Sequence, residues 1–120
     1  MSQTFCVSLT HSKDNTDKAT VAFVIANAAA ASEKETTVFL SIEGVRLATK
    51  GYADDIHEEG FLPLRDLMQN FVKAGGTIWV CSPCFKKRGL DDKALVDGAT
   101  IVGGAKLVEL LSNGAPCVSY

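Results

Sequence analysis

The sequence lacks several features that assign a chain quickly to a class of protein. Its net charge is −2, and its 12 basic and 14 acidic residues are interspersed, so no basic face for nucleic acid or an anionic membrane is indicated. The first residues lack the basic and then apolar pattern of a secretory signal, and no apolar run is long enough to cross a bilayer. We therefore expect a cytoplasmic protein that binds neither nucleic acid nor a membrane.

The sequence also lacks the residue sets of common cofactor sites. A structural zinc site needs four ligands, usually as two pairs, but there is only one C-x-x-C and the two histidines, His11 and His57, lie in unlinked segments. We interpret both histidines as ordinary polar loop residues. The polar loop 10–16 lacks the glycines that let a backbone approach phosphate closely. We expect no metal and no nucleotide or flavin cofactor.

What is present is a repeated alternation of short apolar strands and helices within 120 residues, a usual length for one domain. Strands are predicted over 5–9, 36–42, 77–81, 99–102 and 116–119. Helices are predicted over 17–32, from Pro63 to the Gly75-Gly76 pair, from Ser82 to near Gly89 and over 105–112, with a further turn within 91–97. This pattern predicts a single α/β domain over 1–120, a three-layer α/β/α fold with a parallel sheet of about five strands.

Two segments of this pattern suggest interfaces. The helix 17–32 carries apolar residues on more than one face, which is typical of a helix buried against the sheet and against a second subunit. The connection 43–61 is long and irregular, and connections of this length tend to be functional or to pack at an interface. We therefore expect a homo-oligomer.

The motif Cys81-Ser82-Pro83-Cys84 is the strongest chemical signal in the chain. Ser82 suits an N-cap and Pro83 the first helical position, so a helix is predicted to begin between the two thiols. Three cations follow directly, Lys86, Lys87 and Arg88. Because positive charge and a helix start both favour a thiolate, Cys81 and Cys84 are the candidate catalytic residues, although Cys84 by itself is equally compatible with a core position.

The carboxyl ends of parallel strands meet at one edge of a sheet, where sites usually form. This rule places His11, Glu43 and Gly44 beside Cys81 as candidate supporting residues. The three cations after Cys84 are expected either to line the site or to form a solvated face that sets a thiol pKa from a distance. The two remaining cysteines, Cys6 and Cys117, lie in apolar segments and are predicted to be small buried core residues.

Four segments in order resemble the DsrE/DsrF-like family of small sulfur-relay proteins, which includes the TusD-type sulfur carriers. They are the strand 5–10 leading into 17–19, the stretch 43–51, Cys81 eight positions before Gly89 with Arg88 adjacent, and the tail 95–105 with its final helix and strand. The resemblance covers nearly the whole chain, and it implies a three-layer α/β/α domain that assembles as trimers or hexamers.

The resemblance implies that Cys81 carries sulfur as a persulfide and that Cys84 is a second cysteine found in some relatives. The leading hypothesis is therefore a sulfurtransferase-like carrier that works with sulfur donor and acceptor proteins. Two alternatives stay open: a dithiol redox protein that cycles a Cys81–Cys84 disulfide, and a non-catalytic oligomeric module that binds a small ligand.

Overall fold

The alternating strands and helices form one sheet in the computed structural model, which describes residues 3–120. The strands are β1 (Thr4–Leu9), β2 (Glu35–Leu40), β3 (Thr77–Cys81), β4 (Ala99–Val102) and β5 (Cys117–Ser119). The α-helices are α1 (Thr16–Ala31), α2 (Leu64–Lys73), α3 (Ser82–Lys87) and α4 (Gly104–Ser112). Three 3-10 helices lie between them, Ile42–Ala48, Tyr52–Asp55 and Asp92–Ala94.

The sheet has the strand order β4-β3-β2-β1-β5, and every neighbouring pair is parallel. Its register pairs Leu9 with Leu40, and Cys81 with Val102, so the carboxyl ends of the four longer strands meet at one edge. The predicted parallel sheet of about five strands is confirmed. The chain segments that leave this edge include the one after β2 and the start of α3.

The main core lies between the sheet and helices α1 and α2. Phe23 of α1 and Phe71 of α2 are fully buried and meet edge to face, with ring centroids 5.9 Å apart. The Asn27 side chain donates to the backbone carbonyls of Phe23 and Leu67, which ties the two helices together. The sheet residues of this core are Val7, Leu9, Val38, Leu40, Ile78 and Val80.

The opposite face of the sheet carries a thinner layer. Cys6, Phe39 and Val102 are buried there, and Leu107 and Leu110 of α4 pack against them. No residue of α4 itself is buried, and its Val108 is 64% exposed. The predicted three-layer architecture is therefore confirmed, and the helical layer formed by α4 buries far fewer side chains than the layer formed by α1 and α2.

The structure corrects two element boundaries near the thiol motif. β2 ends at Leu40, before the predicted limit at Ile42, because Ile42 has a left-handed backbone (φ 54) that begins a 3-10 helix. The residue before α3 that acts as its N-cap is Cys81, whereas Ser82 is the first helical residue. The helix still begins between the two sulfurs, as predicted.

Two further predictions change in detail. Pro63 precedes α2 as its N-cap and is not the first helical residue. Cys117 is exposed, which contradicts its predicted burial, because β5 lies at the edge of the sheet and pairs only with β1. Cys6 is fully buried, as predicted. Over residues 3–120, no helix combines the length and the apolar character needed to cross a membrane.

Candidate functional site

The two thiols of the motif lie together at the carboxyl edge of the sheet. Cys81 is the last residue of β3, and Cys84 lies on the first turn of α3. Both are free and partly buried, and each thiol affects the pKa of the other. The backbone N–H of Cys84 also points at the Cys81 sulfur. The turn from strand to short helix therefore holds the two thiols side by side at this edge.

Cys84 is the thiol whose anion is better stabilised. Burial by itself raises its pKa, but four groups outweigh that effect and hold the pKa below its ordinary value. These are the backbone N–H of Ile42, the Cys81 thiol, and the charges of Arg88 and Lys87. A thiolate at this position is accordingly favoured.

The pKa of Cys81 is shifted in the opposite direction, above its ordinary value. Burial raises its pKa, and the neighbouring Cys84 thiol adds to that effect. The Cys84 backbone N–H and the charge of Arg88 oppose the shift without cancelling it. The pair is therefore unequal: the first proton leaves from Cys84, and the proton that stays is held on Cys81.

The N–H that faces Cys84 belongs to a backbone in an uncommon conformation. Ile42 has φ 54, although a β-branched side chain disfavours the left-handed region by roughly 1–3 kcal/mol. Its side chain is exposed, so the conformation is maintained by the backbone around it. The N–H of Gly44 donates to the Ser41 carbonyl at 2.9 Å, and a Cβ on Gly44 would lie 2.3 Å from the Leu9 carbonyl oxygen. Only glycine fits this close approach to β1.

A network of charged side chains links the segment after β2 to α3. Arg88 Nε donates to Glu43 Oε2 at 2.7 Å, and Arg88 Nη1 donates to the Cys84 carbonyl at 3.1 Å. Arg46 Nε donates to the other Glu43 oxygen at 2.9 Å. The two guanidinium groups hold the pKa of Glu43 below its ordinary value. Arg88 is thereby fixed beside the thiols, and its side chain is only 12% exposed.

The other residues predicted for the site have weaker connections to the two thiols. His11 Nδ1 lies 2.7 Å from Asp14 Oδ2 within its own loop, and no hydrogen bond in residues 3–120 joins it to either thiol. Lys86 and Lys87 are exposed, and of the two only Lys87 acts on the pKa of Cys84. The structure thus brings together Cys81, Cys84, Arg88, Glu43 and Gly44.

Sequence reasoning missed two contributors. The first is Arg46, which lies three residues after Glu43 in a 3-10 helix. Only this spacing, which suits a local ion pair, could have indicated it in the sequence. The second is Ile42, which acts on Cys84 through its backbone N–H. Every residue except proline has this group, so the side chain of Ile42 gives no indication of the role. Within the described chain, no group of three or more His, Cys, Asp or Glu side chains is placed to hold a metal ion.

A separate cleft of about 420 Å³ lies between α2 and the segment after β2. Its walls are mostly apolar, with charged side chains around them, and neither thiol contributes to it. The residues that line it include Leu47, Met68, Val72, Val96, Lys50 and Arg65. This cleft is the feature of the structure that suits the small-ligand alternative.

Comparisons with curated proteins identify uncharacterised relatives. The chain is 32% identical over 99 residues to the uncharacterised protein MJ0760 of Methanocaldococcus jannaschii, with 82% of this chain aligned. That match covers 36% of the relative, so the chain spans about a third of its length. A second uncharacterised protein of the same organism, MJ0989, is 27% identical over 116 residues, covering 97% of this chain and 98% of the relative.

Solved structures show the same fold. The YchN protein of E. coli superposes with a TM-score of 0.83 at 16% identity, and the match covers all of both chains. The protein of unknown function MTH1491 from Methanobacterium thermoautotrophicum has a TM-score of 0.69 at 14% identity, again over all of both chains. Residues 3–119 match the sequence profile of the DsrE/DsrF-like family. The chain therefore belongs to the DsrE/DsrF-like family, which is in general terms a sulfur-relay family.

Proposed function

We propose that this protein carries sulfane sulfur as a persulfide on Cys81, with Cys84 as its partner thiol. Membership of a sulfur-relay family supports the reaction class. The observation that carries the proposal is the unequal thiol pair, in which Ile42, Lys87 and Arg88 stabilise one negative charge beside a second sulfur. Sulfur transfer requires a thiolate, and this site stabilises one on Cys84, which can accept the proton of Cys81.

The first half-reaction loads the carrier. Transfer of the Cys81 proton to the Cys84 thiolate leaves a Cys81 thiolate, which is intrinsically the stronger nucleophile because nucleophilicity rises with pKa. Cys81 attacks the outer sulfur of a donor R–S–SH, so that a new S–S bond forms and the donor's S–S bond breaks. The electron pair leaves on R–S⁻, which takes the proton from Cys84. The products are Cys81–S–SH and R–SH, and no external oxidant is consumed.

The second half-reaction unloads the carrier. An acceptor thiolate attacks the outer sulfur of the Cys81 persulfide, and the electron pair of the broken bond returns to Cys81. The neighbouring charge of Arg88 and the N–H of Cys84 partly offset the effect of burial, which disfavours departure of this sulfur as a thiolate. Donor and acceptor are proposed to be persulfide- and thiol-bearing proteins or small molecules.

A second function follows from the proximity of the two thiols. Cys81 ends β3 and Cys84 lies on the first turn of α3, a Cys-x-x-Cys spacing at a helix start that suits a disulfide. Attack of Cys84 on the inner sulfur of the Cys81 persulfide would form this disulfide and release HS⁻. A protein that works in this way is a dithiol redox protein, and the same experiment separates it from the carrier.

The experiment compares serine variants after incubation with thiosulfate, whose outer sulfur is transferable. Intact mass spectrometry is expected to show one added sulfur atom in the wild type and in Cys84→Ser, and none in Cys81→Ser. In Cys84→Ser, loading should need a higher pH because the proton acceptor is gone. Cys117→Ser, at an exposed position outside the pair, is the matched control and should load like the wild type.

The other outcomes are equally informative. Loss of two hydrogen atoms without added sulfur would support the dithiol cycle and reject the carrier. Sulfur that is retained in Cys81→Ser and lost in Cys84→Ser would move the persulfide to Cys84 and overturn the assignment of Cys81.

We also propose that the protein works as a cytoplasmic homo-oligomer, a trimer or a hexamer. Support comes from apolar side chains that the single chain leaves exposed and from the light layer over the second face of the sheet. The exposed large apolar residues are Ile42, Phe61, Leu62, Val108 and Leu111.

A further inference from the structure

A second pair of cysteines lies on the other helical side of the sheet, away from the motif. Cys6 of β1 and Cys117 of β5 are direct partners in the parallel register. Neighbouring strands lie about 4.8 Å apart, and a disulfide tolerates Cα separations of roughly 4.4–6.8 Å. Because directly paired residues of adjacent strands point to the same face, both thiols lie on the side that carries Phe39 and Val102.

The two thiols differ in access. Cys6 is fully buried, whereas Cys117 is exposed to solvent. The Cys117 thiol donates to the carbonyl of Val118 at 3.7 Å, and a disulfide forms when its sulfur turns from that carbonyl towards Cys6. Burial, followed by the neighbouring Cys117 thiol, raises the pKa of Cys6 from 9.0 to about 12. A reagent in solution therefore meets Cys117 first, and Cys6 reacts only through it.

The strand that carries Cys117 is held in register with β1. β5 has three residues and pairs only with β1. Backbone bonds hold it on both sides of the pair, from Cys6 N to the Pro116 carbonyl at 2.9 Å and from Tyr120 N to the Ser8 carbonyl at 2.8 Å. A short edge strand anchored in this way keeps the register while its side chains close the remaining distance.

We propose that Cys6 and Cys117 are a second reactive thiol site, at which a low-molecular-weight disulfide installs a reversible cross-strand disulfide. The Cys117 thiolate attacks R–S–S–R, forms Cys117–S–S–R and releases R–S⁻. Cys6 then gives its proton to R–S⁻ and attacks the Cys117 sulfur, which releases a second R–S⁻ that takes a proton from water. The protein loses two electrons and two hydrogen atoms, the reagent becomes two R–SH, and β5 is covalently joined to β1.

The test uses the Cys81→Ser/Cys84→Ser chain, in which only this pair remains, with oxidised glutathione as the disulfide. The expected product is lighter by two hydrogen atoms, has peptides containing residues 6 and 117 linked, and is reversed by dithiothreitol. Adding Cys6→Ala should instead trap a stable glutathione adduct on Cys117. Cys117→Ser, a change at an exposed edge position, should leave Cys6 unmodified in the folded chain.

Three results would overturn the proposal. The first is an adduct on Cys117 that persists equally with and without Cys6. The second is a disulfide that joins two chains through Cys117. The third is modification of Cys6 in the folded Cys117→Ser chain, which would remove the proposed order of reaction. None of these results depends on sulfur transfer at Cys81, so the two proposals fail independently.

Discussion

The guanidinium of Arg88 donates to the carboxylate of Glu43 across 2.7 Å and so joins α3 to the segment that follows β2. This bond brings together the two chain segments that stabilise the Cys84 thiolate, one through charge and the other through the Ile42 N–H. An arginine held by a carboxylate loses little further conformational freedom when a neighbouring sulfur becomes negative. The thiol site is therefore built before any substrate arrives.

Replacing Arg88 with glutamine should make Cys84 harder to ionise. With the charge removed, the pKa of Cys84 should rise, and alkylation at neutral pH should slow by roughly two- to fivefold, equivalent to about 0.4–1 kcal/mol. The measurement is the pH profile of iodoacetamide labelling in a Cys81→Ser/Cys117→Ser background, where Cys84 is the remaining accessible thiol.

Arg65→Gln is the matched control for this prediction. Arg65 is half-exposed on α2 and pairs with Asp66 at 3.5 Å, away from the thiols, so its loss should leave the labelling profile unchanged. Equal profiles for Arg88→Gln and Arg65→Gln would show that Arg88 does not tune the site.

Gly44→Ala should both destabilise the protein and slow the thiol chemistry. The new Cβ would lie 2.3 Å from the Leu9 carbonyl oxygen, and relief of this clash should cost about 1–3 kcal/mol in the free energy of unfolding. Because Ile42 and Glu43 lie on the same segment, the N–H and the carboxylate should move with it. Urea unfolding and Cys84 labelling measure the two effects.

Gly104→Ala is the glycine control. A Cβ there meets nothing within 4 Å, and alanine is the better helix former on α4, so stability should be unchanged or raised by up to about 1 kcal/mol. If Gly44→Ala is as stable as this control, the close contact with Leu9 does not hold the site.

The buried Cys6 should make stability depend on alkaline pH. Its pKa is raised from 9.0 to about 12 in the folded protein, so the folded state keeps a proton that the unfolded chain releases. The resulting stabilisation is fully present below pH 9 and is lost as pH rises through about 12. Urea unfolding is measured from pH 8 to the highest pH at which the protein stays folded. The free energy of unfolding should fall more steeply with pH in the wild type than in Cys6→Ala. Parallel pH curves would contradict the burial of an ionisable thiol.

The protein should be an oligomer at micromolar concentration. Apolar side chains such as Val108, 64% exposed, and Leu62, 54% exposed, are the surfaces that association would cover. Light scattering coupled to size-exclusion chromatography should give the mass of a trimer or a hexamer. A single species with the mass of one chain would reject this prediction.

The fold was predictable because it depends on patterns that are local in the sequence. Apolar strands separated by helices predicted the parallel sheet, and the ends of those strands predicted that Cys81 and Glu43 approach one edge. The spacing of the Cys-x-x-Cys motif around a helix start correctly predicted that the helix begins between the two sulfurs.

The remaining features depend on contacts between distant segments. The left-handed backbone of Ile42 and the close approach of Gly44 to the Leu9 carbonyl are encoded by no local pattern. Cys117 was wrongly predicted to be buried because its exposure depends on which strand lies at the edge of the sheet. The inequality of Cys81 and Cys84 likewise comes from an N–H and a charge network that reach one sulfur from another part of the chain.

The most direct test of sulfur carriage follows one labelled sulfur atom through the site. The wild-type protein is incubated with thiosulfate labelled in its outer sulfur, separated from the reagent, digested and mapped, and a parallel sample is mixed with glutathione. The label is expected on the peptide that contains Cys81 and then, in equal amount, on glutathione. A peptide that carries no label and has only lost two hydrogen atoms would contradict sulfur carriage.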